Sequence, residues 1–152
     1  MYQELLKLAE EIGAQAAALL MKRPPAFEIS SKSTAIDIAT QMDIAAEKFI
    51  ADAILTARPD DGIIGEEGTE RASKSGITWV IDPLDGTVNY VYGLPGWNVS
   101  IAAKDSVGPI VGVVTAPTIN STWLATRGGG AFYNGRKISC NEPINLDRAL
   151  IS

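Results

Sequence analysis

The sequence predicts an α+β fold in which two N-terminal helices pack on a largely antiparallel sheet. Three observations carry that expectation. Apolar residues recur at helical spacing over the first twenty positions and again up to Ala57. From residue 60 onward the pattern changes to short, β-rich apolar runs separated by turn residues. Near the end, Asn134-Gly135 sits between two such runs, which is the signature of a tight hairpin.

The elements follow in order. Leu5, Leu8, Ile12, Ala16 and Leu19 mark the inner stripe of the first helix, opposite Glu4, Lys7, Glu11 and Gln15. Pro24-Pro25 ends it, because proline removes a donor and clashes with the preceding turn. The polar stretch Ser30–Thr34 reads as a loop or a short extended segment. A second helix starts near Ile36 or Thr40 and runs to Ala57, with Ala46, Phe49, Ile50, Ala53 and Ile54 as its stripe and Pro59 as its stop. Strands are expected at Ile63–Gly65, Thr78–Ile81, Asn98–Ala103, Ile110–Thr115, Ser121–Thr126, Ala131–Tyr133 and Lys137–Ile138. The last residues, Asp147–Ser152, look like the entry to another strand, so residues 1–152 are expected to be the N-terminal part of a larger domain.

Composition narrows the function. The chain has 152 residues and a formal net charge of −5, with no basic cluster to grip phosphates, which argues against nucleic-acid binding. The longest apolar stretch, Ala14–Met21, is too short to span a bilayer, and no basic segment precedes an apolar one as in a secretory signal. A single cysteine, Cys140, cannot form an internal disulfide, which favours a reducing, cytoplasmic setting. Histidine is absent, so Ser-His-Asp, Cys-His and His-ligated zinc chemistry are excluded. Catalysis must then rest on carboxylates, hydroxyls, lysines or a hard metal ion held by oxygen.

The densest chemical signal is Trp79-Val80-Ile81-Asp82-Pro83-Leu84-Asp85-Gly86-Thr87. An apolar run brings a strand out of the core, and Pro83 is expected to stop it as a central strand. Asp82, Asp85 and the carbonyl of Leu84 are thereby presented on a tight turn, a donor set suited to Mg²⁺. The amides of Gly86, Thr87 and Val88 would bind an anion if they open a helix. An Asp-Gly pair is also ordinary turn chemistry. Glu66 and Glu67, between Gly65 and Gly68, are a solvated turn or a further carboxylate source from a neighbouring strand end. Asp37 and Asp43, near the start of the second helix, are the kind of residue that serves a helix N-terminus. An acidic cluster repels an anionic substrate unless bound divalent ions invert its sign, which favours metal-assisted phosphate chemistry.

These residues together form a pattern. Asp82-Pro83-Leu84-Asp85-Gly86-Thr87, Gly65-Glu66-Glu67, the run Lys32-Ser33-Thr34, Asp37, Thr40, Asp43 and Glu47, and Arg127–Phe132 with Asn134-Gly135 resemble the inositol monophosphatase family. The resemblance implies a layered α/β sandwich of the sugar phosphatase type and in-line attack of water on a phosphate monoester, with sensitivity to lithium. It implies two or three Mg²⁺ ions on Glu66, Asp82, Asp85, the Leu84 carbonyl and Asp43. It implies Glu66 and Thr87 as the pair that activates water, and Asp85, Gly86, Thr87 and Val88 at the substrate phosphate. Glu67 and Lys32 would be supporting positions, although Lys32 reads equally as a solvated loop lysine. Val88 stands where some members carry a second threonine, which costs a hydroxyl but keeps an amide.

The family's second signature, a Trp-Asp-x-Ala-Ala-Gly-like motif, is absent: the three tryptophans are followed by Val80, Asn98 and Leu124. The resemblance is thus to the N-terminal portion of a member, with the C-terminal half missing. It implies a small phosphorylated substrate, inositol monophosphate first, and a homodimer for the intact protein. Histidinol phosphate, fructose 1,6-bisphosphate and a phosphorylated adenosine nucleotide are the alternatives. A catalytically inactive metal-binding or assembly fragment is the reading of another class, and an incomplete gene product is a third.

Overall fold

A computed structural model of the chain describes residues 2–22 and 35–140, with Asn145 and Arg148 beyond them; for 35–40 it describes the backbone alone. The segments expected around Pro24-Pro25, Ser30–Thr34 and Asp147–Ser152 lie outside these residues, apart from Arg148, whose amide donates to the Asn145 carbonyl at 2.9 Å.

Helices α1 (Tyr2–Leu20) and α2 (Ala35–Ala57) precede eight strands: β1 (Gly62–Gly65), β2 (Glu70–Arg71), β3 (Thr78–Asp85), β4 (Asn98–Lys104), β5 (Pro109–Ala116), β6 (Ser121–Thr126), β7 (Gly130–Tyr133) and β8 (Arg136–Ile138). A short helix, α3 (Thr87–Tyr92), joins β3 to β4. The strands form one sheet in the order β2-β1-β3-β4-β5-β6-β7-β8. Only β1 and β3 pair in parallel; every other neighbouring pair is antiparallel. The α+β arrangement expected from the sequence is therefore observed. No described helix is long and apolar enough to cross a membrane.

Alternation along the strands sets the layers. Val99, Ile101 and Ala103 of β4 are buried, as are Trp79 and Ile81 of β3 and Val111 and Val113 of β5. They form the inner face with Leu5, Ala9, Ile12, Ala16 and Leu20 of α1 and with Ala46, Ile50 and Ile54 of α2. Each fully buried Leu or Ile there contributes roughly 1.5–3 kcal/mol. On the opposite face, paired register lines up Val80, Ala102, Gly112, Ala125 and Ala131. That row is open: a Cβ at Gly112 would meet nothing within 4 Å, and Val80 is 37% exposed.

Three expectations are corrected. The α1 stripe is rotated: Leu6, Ala9, Ala17 and Leu20 are buried, while Leu8 and Leu19 lie at its half-buried flank. Leu5, Ile12 and Ala16 of the expected stripe are buried as well, so the inward face is wider than that stripe and shifted by one residue at Leu8 and Leu19. Second, β3 runs through Pro83 to Asp85. Register against β4 shifts between Asp82 and Asp85, so the residue without an amide falls in an irregularity where no ladder bond is demanded of it. Third, α2 begins at Ala35, so Asp43 lies more than two turns inside it and is buried, not a residue serving a helix N-terminus.

The predicted hairpin has the expected chemistry, with Asn134 and Gly135 both at positive φ, 45° and 77°. Strand β2 is not anticipated from the sequence, and helix α3 enters there only as the condition for an anion site at Gly86, Thr87 and Val88.

Candidate active site

The parallel pairing of β1 with β3 is what gathers the acidic residues. Gly65 lies opposite Ile81, and the Glu66 amide donates to the Ile81 carbonyl at 3.2 Å. The next residues on each strand, Glu66 and Asp82, therefore stand side by side although sixteen positions apart in sequence. An antiparallel pairing would have sent them to opposite ends of the sheet.

Asp82 has one carboxylate oxygen buried without any hydrogen-bond partner, and so does Asp43 on α2, which is 5% exposed. Burial first, then the charges of Glu67, Asp82, Glu66 and Glu47, push the Asp43 carboxyl up to about 7. Burial likewise leads for Asp82, followed by a hydrogen bond with Glu66 and the charges of Glu66 and Asp85; its carboxyl also rises to about 7, against an opposing pull from the Leu84 backbone. Glu67 is pushed up by burial and then by Glu47 and Glu66. Asp43, Glu66, Glu67, Asp82 and Asp85 thus form one electrostatic cluster, in which a proton offsets repulsion that a cation would offset better. Among the described residues, no three such side chains stand as a ready-made metal cage. The donors that could hold a hard cation are all oxygens, and two of them are buried and unpartnered, which fits Mg²⁺ chemically.

The turn after β3 supplies the neutral groups. Leu84 is 1% exposed, and its carbonyl accepts the Thr87 hydroxyl at 3.0 Å. Asp85 is exposed and accepts from Asn98 Nδ2 at 2.8 Å. Gly86 precedes α3 with φ 85°, and an added Cβ would lie 2.8 Å from the Gly96 carbonyl, so only glycine fits this corner. Thr87 and Val88 open α3, and Val88 is 68% exposed. The helix is held at its far side by Tyr90, which is buried, stands edge-on to Trp97 at 5.1 Å and donates to the Leu20 carbonyl at 2.8 Å. Lys32 lies outside the described residues, and the side chain of Asp37 is not described.

Two carboxylates escaped the sequence reading. Glu47 was noted there only as part of a spacing pattern. Its signal was positional, since residues 43, 47, 50 and 54 fall on one helical face, and that face is buried. Asp61, at the other end of β1, is 1% exposed and fully engaged. It accepts from Trp79 Nε1 at 2.9 Å and from Ser75 Oγ at 2.6 Å, and both its oxygens take the Arg58 guanidinium. Burial pushes its carboxyl up, but the bonds from Arg58, Ser75 and Trp79 outweigh burial and hold it below the ordinary carboxylate value.

Comparison with known proteins gives a consistent picture. The model of the inositol monophosphatase family matches residues 1–152. An inositol monophosphatase of Dictyostelium discoideum is 36% identical over 157 residues, covering 99% of this chain and 55% of its own. A fructose-1,6-bisphosphatase/inositol-1-monophosphatase of Thermotoga maritima is 38% identical over 122 residues, covering 80% of this chain and 47% of its own. Among solved structures, an inositol monophosphatase of Zymomonas mobilis superposes with a TM-score of 0.81 at 27% identity, over 97% of this chain and 57% of that one. The chain spans about half the length of the relatives it matches.

Proposed function

The chain belongs to the inositol monophosphatase family, and from that premise we propose that residues 1–152 form the N-terminal metal- and phosphate-binding part of a phosphomonoesterase. Its substrate is a small phosphorylated compound, an inositol monophosphate first and a sugar phosphate such as fructose 1,6-bisphosphate next. Histidinol phosphate and a phosphoadenosine nucleotide complete the panel. The observation that carries this reading is the pair of buried carboxylate oxygens, on Asp43 and Asp82, that no protein group satisfies.

In this reading Glu66, Asp82, Asp85, the Leu84 carbonyl and Asp43 hold two or three Mg²⁺ ions. When bound, the ions supply positive charge for the phosphate and lower the pKa of a coordinated water. Glu66 accepts the proton of the attacking water. The Thr87 hydroxyl gives its hydrogen to the Leu84 carbonyl, so its free lone pairs are available to orient that water. The amides of Gly86, Thr87 and Val88 and the side of Asp85 receive the phosphate, with Glu67 and Lys32 in support. The intact protein, in this reading, is a lithium-sensitive cytoplasmic homodimer. A non-catalytic metal-binding or assembly module is the second reading: it would use the same acidic cluster to hold an ion without turnover.

The test is Mg²⁺-dependent phosphate release from inositol and sugar phosphates, with Asp82→Asn as control. Release that falls to background in the variant is expected. Thermal stabilisation by Mg²⁺, about 2.7 kcal/mol at a hundredfold excess over Kd, without any release, would leave only the second reading.

A further inference from the structure

We propose that Glu47 is a positioning residue that fixes the 65–69 turn and thereby the place of the Glu66 carboxylate. The inference rests on the reading of Glu66 as a metal ligand. Glu47 is 2% exposed and reaches from α2 to the sheet edge. Its Oε2 accepts the Glu67 amide at 2.8 Å and its Oε1 the Thr69 amide at 2.8 Å. The turn is closed on itself by the Gly65 amide on the Thr69 carbonyl at 2.7 Å, and tied to β3 by the Glu66 amide on the Ile81 carbonyl at 3.2 Å. Glu66 therefore projects from a loop whose amides at 65, 66, 67 and 69 all have partners.

The chemistry asks for a carboxylate at this position. Two amides converge on two acceptor oxygens, and the anion strengthens both bonds. Glutamine offers one acceptor and sets an NH₂ against the second amide, so one bond is lost. The approach is close enough that a Cβ at Gly65 would fall on the Glu47 carboxylate, which explains the glycine there. A buried anion beside an acidic cluster raises the repulsion on Asp43 and Glu67. A residue kept only for helix packing would not be charged. Groups that orient metal ligands from behind are worth about 10–100-fold in metal affinity.

Mg²⁺ titration calorimetry on the full chain, without phosphate ester, provides the test, with wild type, Glu47→Gln and Asp82→Asn compared. Binding weakened about 10–100-fold in Glu47→Gln, with faster exchange of the Glu67 or Thr69 amide, is the expected result. Wild-type affinity in Glu47→Gln, when Asp82→Asn has lost binding, overturns the positioning role and leaves the metal site standing. Equal heats from wild type and Asp82→Asn overturn the metal reading, and this inference with it. Should Glu47→Gln not fold, amide exchange in the wild-type chain decides. Slow exchange at Glu67 and Thr69 before Mg²⁺ is added is expected of a pre-set turn. Fast exchange that slows only with Mg²⁺ would overturn the proposal.

Discussion

Asp61 and Asp82 are aspartates at opposite ends of the same parallel strand pair, and the chain treats them in opposite ways. Asp61 precedes β1 and is saturated by Arg58, Ser75 and Trp79. Asp82, near the far end of β3, has one oxygen without a partner and acidic neighbours in Glu66 and Asp85. The first carboxylate is held below its ordinary pKa and the second is pushed up to about 7. Burial opposes the charge at both, so the difference lies in the company each side chain keeps. Saturation marks a group that organises the fold. A half-buried acid with one oxygen left unpartnered is not explained by the fold alone, and in the proposed reading a cation would satisfy it.

The sharpest way to break this comparison is the same change at both ends. Asp61→Asn is expected to lower the stability of the metal-free chain by about 3 kcal/mol, because it leaves the Arg58 charge unpaired. Asp82→Asn, compared at pH 8, is expected to raise it by about 1 kcal/mol, since it removes a half-buried charge repelled by Glu66 and Asp85. Urea denaturation of the two variants measures this, and equal losses would erase the distinction.

The second effect is of pH. The folded carboxyls of Asp43 and Asp82 keep their protons up to about 7, whereas in the unfolded chain they release them near 3.8. Their contribution is complete below the unfolded value and is lost as pH rises through about 7. Asp61 has the opposite sign: its contribution is present above 3.8 and disappears as pH falls through its lowered folded value. The unfolding free energy of metal-free protein, read from urea denaturation, should therefore rise as pH is lowered from about pH 8 to pH 5. The rise should be much smaller in an Asp43→Asn, Asp82→Asn double variant, where Glu67 keeps its own upward shift.

The smallest effect is at Trp79. Trp79→Phe keeps most of the ring but withdraws the Nε1 donor from Asp61, a loss of about 1 kcal/mol. Thermal melting would check it, and the Mg²⁺ response should not change.

Much of this architecture was legible from periodicity. Strand β6, at Ser121–Thr126, has the boundaries expected of it, and both N-terminal helices lie where spacing placed them. What escaped has local reasons. Strand β2 is two polar residues, Glu70 and Arg71, whose order comes from pairing with β1 and not from their own pattern. Helix α3 has only six residues, between two left-handed glycines, Gly86 and Gly93. Glu47 sits on a helical face that apolar periodicity assigns to the core, and such a reading passes over an acid in it. Of the site, the motif residues after β3 could be named from the sequence. The parallel β1–β3 register that sets Glu66 beside Asp82 could not, because strand direction is decided by the sheet as a whole.

The open row on the outer face of the sheet also divides the molecule's optics. Trp79 and Trp97 are buried, whereas Trp123, paired with Val114 on that outer face, is half-buried against Tyr133 at 5.1 Å. A water-soluble quencher reaches one indole in three. The intrinsic emission of the chain is therefore two signals superposed: a shielded one that follows the integrity of the fold, and an accessible one that dims or shifts when anything comes to rest on the bare face.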